Sequence, residues 1–277
     1  MSDNAQQIEY WNGAVGERWA KLQESTDRNL SAISDALMPF AAAKAGEHVL
    51  DIGCGCGTTT LALARIIGKS ATVTGIDVSV PMLEVARRRA GTVDANVAFV
   101  EADAAAYAFK PEFDLVFSRF GVMFFADPVA AFTNIRGALK PAGRMAFVCW
   151  RAMPENAWAY VPHEAARDLV PPPEASDPHA PGPFAFADAQ RLMTILLKAG
   201  FSNVKGDKLD TVMNMGATVD EAVMTALNIG PLARAARDVD EATRAKIAAR
   251  VHKALENYAK PDGVAPPAAC WLVSATA

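Results

Sequence analysis

The sequence predicts an α/β fold: a doubly wound, mostly parallel seven-stranded sheet carrying a helical cap. Three observations predict it. Short apolar runs alternate with helix signals through roughly the first 150 residues. The runs are apolar throughout, as strands buried between two helical layers must be. The first run ends in a glycine cluster that opens a helix.

The elements follow in order. Residues 48–52 (HVLDI) form the first strand. Residues 58–67 (TTTLALARII) read as a helix closed by Gly68. Residues 71–77 (ATVTGID) are the second strand, and Ser79 with Pro81 starts a helix that runs to about Ala90, before Gly91. Residues 97–101 and 113–118 are the third and fourth strands. Asp127 as N-cap and Pro128 in the first turn open a helix that ends near residues 140–143 (KPAG). Residues 144–150 (RMAFVCW) are the fifth strand.

The second half is less regular. Residues 152–183 carry Pro171, Pro172, Pro173, Pro178, Pro181 and Pro183, which suits a loop or short-helix insertion. Residues 188–199 form an amphipathic helix capped by Gly200. Residues 203–213 are the sixth strand. Thr218 with Glu221 makes a capping box, and Asp238 with Glu241 a weaker one, so helices are expected over about 219–236 and 239–259. Residues 269–276 close the sheet. Insertions near the strand ends of an open sheet lie over the ligand crevice. Residues 151–183 and 217–262 are therefore expected to cap one domain of residues 41–277, with residues 1–40 a helical lid over the same opening.

Composition bounds the function. Hydrophobic residues make up 51% and charged residues 21% of 277, enough for a sizeable core. The net charge of −4 argues against a phosphate-tracking surface, so no nucleic-acid partner is expected. The N-terminus lacks an apolar signal region and no run is long enough to span a bilayer. Cys54, Cys56, Cys149 and Cys270 suggest no disulfide framework, and a reducing, cytoplasmic setting fits. Cys54 and Cys56 form a C-x-C without two further metal ligands nearby, so no metal is expected.

The glycine turn carries the chemistry. Gly53, Gly55 and Gly57 alternate between a buried strand and a helix start, where a missing Cβ lets a ligand approach the backbone and helix-start amides face it. Alone this is a weak signal, since such a cluster is often only a tight turn. Two acids strengthen it. Asp77 ends the second strand twenty residues after Gly57, where a carboxylate can accept from both hydroxyls of a ribose. Asp103 follows the third strand and can accept from an adenine amino group. The spacing disfavours a nicotinamide-dependent dehydrogenase, whose fingerprint places the third glycine three residues after the second. Here it comes two residues after.

DIGCGCGT, GIDVS, EADA and FDLVFSRF, in that order, resemble the four motifs of the class I S-adenosylmethionine (SAM)-dependent methyltransferases over residues 45–150. The chain is similar to their small-molecule branch, the ubiquinone and menaquinone-biosynthesis group. The resemblance implies a Rossmann-like methyltransferase fold and SAM as cofactor. It implies that Gly53, Cys54, Gly55 and Gly57 approach the methionine part, that Asp77 holds the ribose and that Asp103 holds adenine. Val78, Met82 and Ala104 would enclose the base. Asp51 would order the turn or meet the amino group, and Ser118 and Arg119 would end the fourth strand beside the donor. Related enzymes often begin with an aromatic segment like IEYWNGAVGERWA, which makes Trp11 a candidate lid residue and Arg18 a candidate for the SAM carboxylate; packing onto the domain is the plainer reading of Tyr10, Trp11 and Trp19.

The fourth motif lacks the Pro-Pro-aromatic signature of base-amino methylation, and no Pro-Cys nucleophile follows it, so a small organic acceptor is expected. Methyl transfer needs alignment and exclusion of water more than a catalytic group. No base is assigned. His163 and Tyr160 in the cap are the candidates, although a lone loop histidine is usually solvated, as His179 would be. Phe120, Met123, Phe124 and Phe125 are either core or an apolar acceptor wall. Arg87, Arg88 and Arg89 read as a solvated helix end. A SAM-binding protein of the same fold with a different reaction, aminopropyl transfer included, or with none is the alternative. Oligomeric state is left open.

Overall fold

The computed structural model describes every residue except 1–3, 93, 95, 173–176 and 178. Pro173 and Pro178 lie outside the described residues. Seven strands form one sheet: β1 (Val49–Ile52), β2 (Val73–Asp77), β3 (Val97–Glu101), β4 (Phe113–Arg119), β5 (Leu139–Trp150), β6 (Ser202–Val212) and β7 (Pro267–Thr276). Their order is β3-β2-β1-β4-β5-β7-β6. The first five are parallel, and β7 inserts antiparallel between β5 and β6. The order reverses between β1 and β4, so a crevice opens where their C-terminal ends diverge.

Among the described residues twelve α-helices accompany the sheet: α1 (Ala5–Asn12), α2 (Ala14–Lys21), α3 (Gln23–Asn29), α4 (Ser31–Ala41), α5 (Thr58–Ile67), α6 (Val80–Ala90), α7 (Pro128–Arg136), α8 (Ala157–Ala165), α9 (Ala189–Lys198), α10 (Val219–Asn228), α11 (Pro231–Ala235) and α12 (Glu241–Leu255). β1 is buried along its whole length, and β4 and the last half of β5 nearly so. Phe117, Phe132, Phe147 and Phe186 are among the largest fully buried side chains, and Phe132 packs on Phe147 and Phe186 at 5.8 and 5.9 Å. β6 forms an exposed edge. Lys205, Asp207, Lys208 and Asp210 along it discourage pairing with another chain.

Several expected boundaries move for local reasons. The KPAG stretch lies inside β5, not at a helix end: α7 stops at Arg136, β5 pairs first at Leu139, and the register shifts before Arg144, with Ala142 left-handed at φ 65°. The expected helix 219–236 breaks at Gly230-Pro231 into α10 and α11. Thr218 does cap α10 by accepting from the Glu221 N–H at 3.2 Å, but Glu221 reaches back to the N–H of Ala217 instead of closing the box on Thr218. Asp240, not Asp238, caps α12, accepting from Thr243 N–H at 2.8 Å. No helix among the described residues is long and apolar enough to cross a membrane.

Candidate functional site

The C-terminal ends of β1, β2, β3 and β4 open onto one cavity of about 470 Å³, within the range of roughly 300–1,000 Å³ usual for small-molecule sites. Residues from α1–α3, from the insertion after β5 and from the segment around α11 line it as well.

The glycine turn forms its floor. Gly53 and Gly55 take φ of 65° and 53°, a region that L side chains rarely adopt. A Cβ on Gly53 would stand 2.5 Å from Gly121 Cα, so the turn lies directly against the segment leaving β4. Gly57, which starts α5, packs toward Ala86 and Phe99 and does not line the cavity. Asp77 ties this loop to the next: its Oδ2 accepts from Gly55 N–H and its Oδ1 from Ser79 N–H, both at 2.8 Å. Burial raises its carboxyl, with the Ser79 and Gly55 amides acting the other way.

Asp51 is fully buried and off the cavity. Its Oδ2 accepts from the Thr59 and Thr60 hydroxyls, both at 2.7 Å, so it fastens the first turn of α5 to β1. Burial pushes its carboxyl up to about 6. Ser118 is also buried and off the cavity. Its hydroxyl donates to the Ile52 carbonyl at 2.8 Å and accepts from Gly121 N–H at 3.1 Å, so it binds the two crossing loops together.

Asp103 lines the cavity. Its Oδ1 accepts from Ala105 N–H at 2.9 Å, and its Oδ2 is buried without a partner. Val78, Met82, Ala104, Cys54, Trp11 and Arg119 line it too. Besides Gly57, Asp51 and Ser118, three more expected residues do not. The Arg18 side chain has no hydrogen bond or ion pair among the described residues and stands outside the cavity wall. Tyr160 is exposed, and His163, with a buried but unpartnered Nδ1, lies on the part of α8 that faces away. On α8 the side chain that reaches the cavity is Trp158. The four cysteines are free, and burial pushes the Cys56 thiol up to about 12 and that of Cys54 well above its usual range. Both are therefore neutral thiols.

The structure adds residues that the sequence did not single out. Asp27 of α3 reaches the cavity and gathers a polar cluster: the Thr58 hydroxyl donates to it at 2.6 Å, Arg89 pairs at 3.2 Å and Arg119 stands at 3.9 Å. Arg89 also donates to the Cys56 carbonyl at 2.7 Å, which corrects its reading as a solvated helix end; Arg87 and Arg88 remain exposed. Burial lowers the Arg119 guanidinium, with Asp27 and Asp51 opposing. Asn12 caps α6 from another element, accepting from Val80 N–H at 2.9 Å and donating to the Val78 carbonyl at 2.7 Å. That explains why Ser79 is free to donate to the Trp11 carbonyl. No spacing in the sequence could have announced these tertiary bonds.

The other end of the cavity is aromatic. Phe120, left-handed at φ 66°, stacks on Trp150 at 4.2 Å, and Trp150 meets Trp158 at 4.8 Å. Asn156 anchors Trp158 by accepting from its indole N–H at 3.1 Å. Trp11 meets Tyr10, Trp19 and Phe124 edge-on at 5.3–5.8 Å. Met153, Phe184, Met213 and Ile229 complete the wall.

A doubly wound sheet with its order reversed at β1 and β4, a glycine turn at the reversal and acids ending the next two strands defines a nucleoside-binding protein of the Rossmann-like kind. A methyltransferase domain family matches residues 49–143. The chain is 30% identical over 173 residues to a demethylmenaquinone methyltransferase of Staphylococcus saprophyticus, covering 58% of this chain and 73% of that protein. It is 37% identical over 99 residues to the Staphylococcus aureus protein of that name, there spanning only 41% of the relative and 35% of this chain. Solved structures share the fold. A Haemonchus contortus phosphoethanolamine N-methyltransferase bound to S-adenosylhomocysteine superposes with a TM-score of 0.60 at 18% identity, over 100% of this chain and 61% of that one. A SAM-dependent methyltransferase of Aquifex aeolicus gives 0.50 at 15% identity, over 100% and 99%. The chain belongs to the class I SAM-dependent methyltransferases and is an enzyme whose cofactor is SAM. The orphaned Asp103 oxygen and the glycine floor fit that cofactor.

Proposed function

We propose that the strand-end half of the cavity holds SAM and that the aromatic half receives a small, largely apolar, planar acceptor of the quinol kind. Asp77 takes the ribose hydroxyls through its remaining lone pairs, and Asp103 takes the adenine amino group through its unpartnered oxygen. Val78, Met82 and Ala104 enclose the base, and Gly53 to Gly55 pass under the methionine part. The observation that carries this reading is the adjacency, in one cavity, of two carboxylates on neighbouring strand ends and a stacked Phe120–Trp150–Trp158 wall.

SAM supplies a methyl group already activated on a sulfonium. The protein's part is then placement and exclusion of water. The aromatic wall gives an acceptor ring a flat, dry surface, and faces of Trp and Phe also favour a cationic centre. Asn156 keeps Trp158 from turning away, and the Gly53–Gly121 contact fixes the floor relative to that wall. The acceptor class is supported by the apolar lining and by the names of the Staphylococcus relatives.

The test is label transfer. The protein is incubated with methyl-labelled SAM and either demethylmenaquinol or phosphoethanolamine, and the organic and aqueous phases are counted. Label in the extracted quinol, with none in phosphoethanolamine, is expected. Label in the aqueous amine alone would refute the apolar acceptor.

A further inference from the structure

Two arginines flank the Asp27 carboxylate, and they are bonded differently. Arg89 lies off the cavity and is well engaged: it donates to the Cys56 carbonyl at 2.7 Å and the Thr58 hydroxyl at 2.8 Å, and pairs with Asp27 at 3.2 Å. Arg119 lies in the cavity wall. Among the described residues its side chain makes one hydrogen bond, from Nη1 to the Ser34 hydroxyl at 2.8 Å. Asp27 Oδ1 stands 3.9 Å from its Nη2, beyond hydrogen-bond reach.

A guanidinium offers about five N–H groups, so most of those on Arg119 have no protein acceptor. They are open to a ligand: the side chain is 14% exposed, and none of its nitrogens is both sealed and unpaired. A cation so enclosed and so little bonded favours an anion that enters the cavity. Asp27 meets the same space with its side chain 21% exposed. Its oxygens accept from Thr58, Arg89 and Gln23. A carboxylate has about four acceptor sites, which leaves room for one more donor. The cluster therefore presents a positive and a negative group side by side, and it suits a ligand group that carries both signs on neighbouring atoms. It sits where the glycine turn runs into α5, since Cys56 and Thr58 are bonded to it and line the cavity.

We infer that Arg119 and Asp27 together hold the amino-acid end of the donor, Arg119 the carboxylate and Asp27 the α-ammonium group. The inference rests on placing the adenosyl group at the ends of β2 and β3, from which the glycine turn leads to this cluster. The pair then selects among donors as well as holding one. A decarboxylated donor, which aminopropyl transfer requires, would leave Arg119 without its anion, so the site favours the intact methionine chain. Arg89, which takes no part in the cavity wall, holds Asp27 and the glycine turn in place for this contact.

Calorimetric titration tests it with S-adenosylhomocysteine and its decarboxylated and deaminated analogues, on the full chain, Arg119→Gln and Asp27→Asn. The decarboxylated analogue should bind the full chain at least roughly ten-fold more weakly than the parent ligand, the worth of a charged hydrogen bond, and the deaminated one roughly three- to ten-fold more weakly. Arg119→Gln should close the first gap to under about three-fold and keep the second. Asp27→Asn should close the second and keep most of the first. The two gaps on the full chain decide the matter even if Arg119→Gln does not fold: analogues that bind as tightly as the parent ligand overturn the inference and leave the adenosyl site standing. Equal weakening of all three ligands in either variant overturns it too, since a purely structural cluster behaves that way. If the full chain binds none of the three, the adenosyl assignment beneath it fails as well.

Discussion

The two ends of the cavity are built on opposite terms. At the strand-end half, the loops are fixed by directed hydrogen bonds: Asp77 in the wall holds two amides, and behind the wall Asp51 holds two threonine hydroxyls and Ser118 joins two loops. At the other end, Phe120, Trp150, Trp158, Met153, Met213 and Ile229 offer surface and few directed contacts. Directed bonds make a site that accepts one ligand geometry. Apolar surface accepts a class of shapes, with one or two methylenes changing affinity only modestly. With the donor placed at the strand ends as proposed, donor identity would be written into backbone geometry, and acceptor choice would be set by the outline of the wall.

The largest effect should come from the floor between the two ends. Gly53→Ala puts a Cβ within 2.5 Å of Gly121 Cα at a left-handed position. Conformational strain and overpacking together should destabilise the fold by roughly 3 kcal/mol or more. Chemical denaturation would show this; a variant within about 1 kcal/mol of the parent would mean the two loops are not locked together.

Arg119 probes the polar cluster. Arg119→Met leaves Asp27 and Asp51 without their shared cation and should cost about 3 kcal/mol, as breaking a partly desolvated pair does. Asp27→Asn on that background should recover part of it. With Asp27→Asn alone completing the cycle, purely additive losses in the urea-derived stabilities of the four proteins would contradict the coupling.

Asp51 gives a pH signature. Burial raises it to about 6, against an ordinary value of 3.8, so the folded protein holds a proton that the unfolded chain releases over roughly pH 4–6. Its contribution to stability is therefore present at low pH and is lost as pH rises through that window, by about 2–3 kcal/mol. Asp51→Asn removes this slope. Relative to the parent, the variant should gain stability of that order between pH 4 and pH 7, and an identical difference at both values would refute the buried-acid account.

The smallest effect belongs to the aromatic end. Met153→Ala should raise the acceptor KM by roughly three- to ten-fold, the worth of a partly buried side chain, while the Kd for S-adenosylhomocysteine stays within error. A matching loss in both would show that the two ends are not separable.

How much of this the sequence disclosed follows the same division. Strands β1, β2 and β4 were legible because parallel strands covered on both faces are largely apolar, and the glycine turn because close backbone approach demands that residue. Asp77 and Asp103 were legible by their place at or just after the ends of β2 and β3. The Asp27–Arg89–Arg119 cluster was not, since a bond between α3 and the end of α6 leaves no local pattern. Arg89 carries the same charge as Arg87 and Arg88, and only its position on the inner side of α6 turns it inward. His163 and Tyr160 stood out by chemistry alone; the helix period that brings Trp158 to the cavity carries both of them away from it. The break at Gly230-Pro231 was visible in the residues but overridden by the apolar pattern on either side.

A crystal structure with S-adenosylhomocysteine tests the division of the cavity most directly. The account predicts adenine beside Asp103, ribose on Asp77 and the sulfur facing the Phe120–Trp150–Trp158 wall. A nucleoside lodged among those three rings, with Asp77 and Asp103 untouched, would contradict it.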